Sequence, residues 1–273
     1  MQRRIGDAVV TALSDGTVDA SLRIFGSQAE EARQILAACG LSPELHISVN
    51  AFAVQLAGRT TLIDTGSGGK MGPTLGRLAA SLIEAGITAG SVDTILLTHM
   101  HPDHSNGLTD ALGAAVFPNA ELVLHEEERA HWLDDARMAE ASPRQKRDDF
   151  EAARRELVPY RNRTRLFRDG EVIPGIRALP LPGHTPGHCG YLIGGGSETL
   201  LIWGDTMHLA DVQIARPDLS VVLDTDRAAA VLTRRRILDM AATERFLVGG
   251  MHLPFPGFAR VTRDGGVFGL EPE

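Results

Sequence analysis

The sequence predicts an α/β protein in which two β-sheets pack together and helices cover their outer faces. Three observations carry that expectation. Strand-like segments come in groups followed by single helices, once in each half of the chain. No repeat and no low-complexity linker interrupts the order. With 43% hydrophobic residues among 273, the chain can bury the core of one large α/β domain or two small ones.

The elements follow in order. Ala8 to Leu13 reads as a strand, Ser14-Asp15-Gly16 as a turn, and Val18 and Leu22 to Phe25 as short apolar stretches. Ala29 to Cys39 reads as a helix, with Gly40 as its C-cap. Val49 to Leu56 and Thr61 to Ile63, joined through Gly58-Arg59, have the signature of two strands and a tight turn. A loop at Asp64 to Gly69 precedes a helix from Leu75 to Ala85, and Thr94 to Leu97 is a short buried strand. Glu126 to Ala139 and Gln145 to Leu157 read as polar helices forming a lid or a surface layer. Strands return at Glu171 to Leu181, Cys189 to Ile193 and Thr199 to Trp203. Asp226 caps a long helix reaching about Ala242, and Phe246 to Val248 is the last buried strand.

Composition narrows the function classes. Charged residues make up 23% of the chain, which excludes a disordered or fibrous class. The formal net charge of -8 argues against a duplex-binding surface, which needs clustered positive charge. Arg234-Arg235-Arg236 reads as the polar face of a helix. Cys39 is expected to be a small core residue, Cys189 is not expected to be a ligand, and no disulfide is called for. The first residues lead into no apolar stretch of signal-peptide or membrane-span length, so the expected location is cytoplasmic.

The stretch Thr98-His99-Met100-His101-Pro102-Asp103-His104 is the most informative. A metal needs donors converging on one point, and neutral imidazole and carboxylate suit zinc and similar divalent ions. A loop leaving a strand can turn His99 and His101 toward one ion, while Asp103 and His104 face a neighbouring one. Further donors lie at element ends: His184 in Gly183-His184-Thr185-Pro186-Gly187-His188, Asp205 after Leu200 to Trp203, and His252 after Phe246 to Val248.

This set resembles the dinuclear motif of the metallo-β-lactamase superfamily. The resemblance covers almost the whole chain and implies one domain, residues 1–273, with the αββα fold: two mixed β-sheets flanked by helices. It implies that His99, His101 and His184 hold one metal, that Asp103, His104 and His252 hold a second, and that Asp205 bridges both. Asp64 matches a family aspartate that supports the metal loop. Trp203 to His208, Val212 to Pro217 and Gly250 to Gly257 are similar to the methyl parathion hydrolase branch, whose relatives include the acyl-homoserine lactonases. Lactonases place a tyrosine three residues after the bridging aspartate, where this chain has His208.

The expected activity is hydrolysis of an ester, lactone or phosphotriester by a hydroxide bridging two divalent ions, zinc first, with manganese, cobalt or iron as alternatives. Asp205 holds the ions and takes up the nucleophile's proton, and His208 either donates to the developing charge or is a structural histidine of the site wall. His188 is expected to orient its loop rather than bind metal. An N-acyl-homoserine lactonase (quorum quenching) is the alternative within the class, and a di-iron redox protein is the alternative outside it. The expected partner is a small, neutral, partly apolar substrate, with no nucleic acid and no membrane, and a homodimer stays open. Leu253 to Pro256, Met207 and Phe25 are candidates for an apolar substrate wall.

Overall fold

The computed structural model describes residues 1–195 and 198–273. Strands β1 (Gln2–Ile5), β2 (Ala8–Ala20), β3 (Leu45–Leu56), β4 (Arg59–Ile63), β5 (Thr94–Leu96), β6 (Glu121–His125) and β7 (Thr164–Phe167) form one seven-stranded sheet in chain order. Its first four strands pair antiparallel, and β4 to β7 pair parallel. The second seven-stranded sheet contains β8 (Gly170–Ile173), β9 (Ile176–Pro180), β10 (Cys189–Gly195), β11 (Glu198–Ile202), β12 (Leu247–Gly249), β13 (Phe258–Asp264) and β14 (Val267–Pro272). Here only β11 and β12 run parallel. Both sheets are therefore mixed, as the αββα architecture requires.

The central strands read as unbroken apolar runs because both of their faces are covered. Period-two alternation divides each run between two cores. Ile63, Leu96 and Val123 face the other sheet and meet Tyr191, Leu200 and Ile202. Their neighbours Leu62, Ile95 and Leu122 face outward and pack under Leu78, Leu82, Trp132, Phe150 and Leu157. Across the second sheet, Leu201 and Val248 pack under Ile237, Leu238 and Ala241 of the helix Arg227–Glu244. Burying each such Leu or Ile side chain contributes about 1.5–3 kcal/mol, which is why the layers hold together.

Several local expectations change. Ser14-Asp15-Gly16 is not a turn; β2 runs straight through it with a bulge between Ser14 and Gly16. Asp15 is buried there because its carboxylate accepts from Ser67 N–H, Ser67 Oγ–H and Leu78 N–H. Leu22 to Phe25 lies in a short helical stretch rather than a strand. The segment expected as one helix from Glu126 to Ala139 is broken at Asp134, whose side chain caps the second piece, Asp135–Glu140. Those helices are no detached lid, since Trp132, Phe150 and Leu157 are core. Cys39 is exposed, at the end of the helix Ala29–Ala38.

Strands β13 and β14 extend the second sheet beyond the expected last strand. Their Gly265-Gly266 turn has both residues at positive φ (53° and 89°), the conformation that matches the strands' twist. Asp264-Gly265 was the legible signal for this hairpin. The parallel pairs β4–β5 and β11–β12 decide where function sits: the loops leaving these strands carry Asp64, His99 to His104, Asp205 and His252.

Candidate metal centre

The donors named from sequence converge. His99, His101 and His184 form one group whose ligand atoms lie within 4.8 Å of one another, and Asp103, His104 and His252 form another. Asp205 touches both groups. Its Oδ2 lies 3.6 Å from His99 Nε2, 3.3 Å from His184 Nε2 and 3.1 Å from His252 Nε2, and its Oδ1 lies 3.2 Å from His104 Nε2. His101 enters through Nδ1, which is 3.1 Å from His99 Nε2 and 2.8 Å from His184 Nε2.

Outer hydrogen bonds fix which nitrogen of each ring faces inward. Thr98 Oγ1 donates to Asp64, so it accepts from His99 Nδ1–H. His104 Nδ1–H donates to Asp64 Oδ2 at 2.8 Å, His184 Nδ1–H to Asp224 Oδ1 at 2.9 Å, and His252 Nδ1–H to the Ser48 carbonyl at 2.8 Å. The inner Nε2 atoms of the neutral rings are then lone pairs aimed at a buried carboxylate and at one another. That arrangement is repulsive unless cations lie between. His104 Nε2 and Asp205 Oδ1 are accordingly buried with no hydrogen-bond partner among the described residues. A zinc ion with nitrogens at about 2.0–2.1 Å in tetrahedral array would space them about 3.3 Å apart, close to what is seen. The donor set fits a metal site.

The electrostatics of the donor set agree. Burial disfavours charge on His184, but its hydrogen bonds to Asp205 and Asp224 outweigh burial and raise it to about 9. His104 and His252 also rise against the effect of burial, chiefly through the Asp205 charge. Asp205 is held well below the carboxylate range: burial pushes it upward, and the surrounding imidazoles outweigh that.

Loop geometry places each donor. Asp64 sits at φ 61° and accepts from Thr98 N–H and Thr98 Oγ1–H, both at 2.7 Å, which joins the β4 and β5 loops. The supporting role expected for Asp64 is what its contacts show. His188 orients rather than ligates: Nδ1–H donates to the Leu181 carbonyl, and Nε2 accepts from Asp205 N–H at 2.9 Å. Gly204 must be glycine, because a Cβ there would meet His188 Nε2 at 2.3 Å. His208 reaches the centre, with Nε2 at 3.2 Å from Asp205 Oδ2, and it also groups with His184 and Asp205.

Sequence reasoning missed three supporting side chains. Asp224 orients His184, and Glu128 is a wholly buried carboxylate between two of the loops. Arg234 is 1% exposed and donates to the carbonyls of Thr206, Pro217 and Leu219, so it is no part of a polar helix face. Burial lowers its pKa to about 10. Arg234→Ala should therefore destabilise the fold by about 3 kcal/mol or more, since each stranded buried acceptor costs about 1–3 kcal/mol. Denaturant unfolding measures this, and a loss below about 1 kcal/mol would show those carbonyls find other donors.

Of the expected wall residues, Phe25, Met207 and Leu253 are core; Phe255 is 49% exposed. Phe25 packs with Leu22, Leu36 and Val212, and Met207 and Leu253 pack under the helix Arg227–Glu244. A cavity of about 600 Å³ lined by Leu82, Ile83, Ile87 and Phe117 contains none of the donor residues.

The metallo-beta-lactamase superfamily model matches residues 46–250, a span that includes every donor but His252. The chain belongs to the metallo-beta-lactamase superfamily. Among solved structures of this fold, hydrolase AbOPH is 31% identical over 100% of this chain and 96% of its own, with a TM-score of 0.93. AidC, a dizinc quorum-quenching lactonase solved with a product, is 25% identical over 100% and 97%, with a TM-score of 0.92. The uncharacterized protein YobT of Bacillus subtilis (strain 168) is 30% identical over 165 residues, 59% of this chain. That match spans 63% of YobT, under two thirds of its length. Among the described residues of this superfamily member, no helix is long and apolar enough to cross a membrane.

Proposed function

We propose that the chain is a dinuclear metal-dependent hydrolase of an ester, lactone or phosphotriester, close to methyl parathion hydrolases. The observation that carries this reading is Asp205, which lies against both donor groups: Oδ2 against His99, His184 and His252, and Oδ1 against His104. His99, His101 and His184 would hold one ion, Asp103, His104 and His252 the other, with Asp205 shared; zinc suits so many imidazoles. Two such ions supply Lewis acidity and hydroxide at neutral pH.

The chain's own groups do the rest. Asp205 fixes the spacing of the two donor groups and is placed to accept a proton. His208 faces the same carboxylate and can donate to charge developing on the substrate. Phe255 lies three residues past His252, and Val222 and Leu223 precede Asp224, which binds His184. All three are at least 40% exposed, and apolar side chains so near the donors in sequence suit a neutral substrate better than a charged phosphate. The likeness to AidC supports a second reading, a dedicated N-acyl-homoserine lactonase.

Metal-replete protein should carry close to two divalent ions per chain by elemental analysis, and chelation should lower its Tm. One ion or none would sink the dinuclear reading, and iron with visible absorbance would redirect it to a di-iron redox protein. An ester, lactone and phosphotriester panel, run on protein of known metal content, then ranks the substrates.

A further inference from the structure

Glu128 is wholly buried beside the donor set without being part of it. Its Oε1 accepts from Met100 N–H at 2.9 Å and Trp132 Nε1–H at 2.6 Å. Its Oε2 accepts from Thr185 Oγ1–H at 2.5 Å and Gly187 N–H at 3.2 Å. Met100 lies between His99 and His101 on the loop leaving β5, in the first sheet. Thr185 and Gly187 follow His184 on the loop between β9 and β10, in the second. One carboxylate therefore spans the seam between the sheets. The fit is close: a Cβ on Gly187 would meet the Glu128 backbone nitrogen at 2.2 Å. The Trp132 ring in turn stands edge-on to His101, with centroids 5.5 Å apart.

We propose that Glu128 is a positioning residue that keeps His99, His101 and His184 in register across the seam, so that this donor group is formed before an ion arrives. The physical reason lies in the donors it faces. An ionised carboxylate presents acceptors only, on both oxygens, and here every contact comes from a donor. A buried carboxylate is costly to desolvate, and hydrogen bonds to it are the strong, charge-assisted kind. Burial raises its pKa, and the Thr185 and Trp132 hydrogen bonds oppose that rise. The apolar alternative would leave Met100 N–H and Gly187 N–H buried and unpaired. Asp224 acts on the same group from another side by orienting His184.

Glu128→Gln tests the idea with almost no change in volume. The indole N–H cannot accept, so the amide oxygen must stay on Met100 and Trp132. The amide nitrogen then faces Thr185, whose hydroxyl can turn to accept, and Gly187 N–H, which cannot. The disturbance falls on the loop carrying His184.

This inference rests on the proposal that His99, His101 and His184 bind an ion. The experiment is Zn²⁺ titration of the metal-free full chain in competition with a chromophoric chelator, alongside thermal unfolding. Wild type should take up two ions. Glu128→Gln should weaken one of the two by about 10–100-fold, the usual effect of losing an outer partner of a ligand, and leave the other near wild type. Thr185→Val, which removes one donor from the opposite loop, should weaken the same ion by less. Val261→Ala, a core change remote from the loops, should lower Tm with both Kd values unchanged. Equal Kd values in Glu128→Gln and wild type, with only Tm reduced, would overturn the positioning role. Should Glu128→Gln fail to fold, an unchanged Kd in Thr185→Val overturns it instead. A wild type that binds no ion would defeat the metal-centre reading itself, a different failure.

Discussion

Asp205→Asn should lower kcat/KM by more than about 10²-fold while the protein still folds. Loss of a mere outer partner of a metal ligand costs about 10–100-fold, and Asp205 is proposed as the ligand shared by both ions. Asparagine keeps the volume and one carbonyl oxygen. It loses the charge that lies within 3.6 Å of His99, His104, His184 and His252. The backbone around it does not depend on that charge. Asp205 N–H is held by His188, and the next carbonyl, Thr206, is held by Arg234. Circular dichroism should thus stay close to wild type, while turnover and the second equivalent of metal fall and Tm drops by no more than chelation lowers it in wild type. A variant with near-normal kcat and a full complement of metal would remove Asp205 from the bridging role.

His208→Ala should lower kcat/KM by roughly 10²–10⁴-fold, the range for a lost acid–base or hydrogen-bond contributor. His208 is buried, and neither ring nitrogen completes a hydrogen bond among the described residues. Apart from Asp205 Oδ2 at 3.2 Å from Nε2, the ring has no polar neighbour within bonding reach among the described residues, so it is free for a partner from outside the chain. Burial lowers its pKa, with Asp205 opposing, so the ring is neutral at pH 7 and offers one N–H. Its ring stacks on His252 at 5.3 Å, and its backbone N–H is pinned by Gln213 Oε1 at 2.7 Å. Truncation should therefore leave the loop in place and the metal content unchanged. Ester, lactone and phosphotriester turnover measured in parallel decide the matter. Small, equal losses on all three would make His208 structural, and loss of an ion would make it a ligand, as its grouping with His184 and Asp205 allows.

By itself the sequence determined the layer order and the donor set. Apolar runs such as Thr94–Leu96 and Leu200 to Trp203 are legible because strands covered on both faces need no polar alternation. His99, His101, Asp103 and His104 are legible because their spacing is itself the chemistry: donors two or three residues apart on one loop can share ions whatever surrounds them. The C-terminal hairpin went unread although its turn signal Asp264-Gly265-Gly266 was present, because the strand Phe258–Asp264 ends in Arg263 and Asp264 and reads as polar. Only the tertiary structure decided what Asp15, Glu128, Asp224 and Arg234 do. Glu128 stands in Glu126-Glu127-Glu128, which looks like an acidic first turn of a helix, and Arg234 stands in a basic run. Their partners include backbone groups and hydroxyls 15 to 63 residues away and a histidine 40 residues away. A charged side chain carries no local mark of whether water or distant amides and carbonyls will satisfy it. That is settled only when the two sheets close and exclude the water.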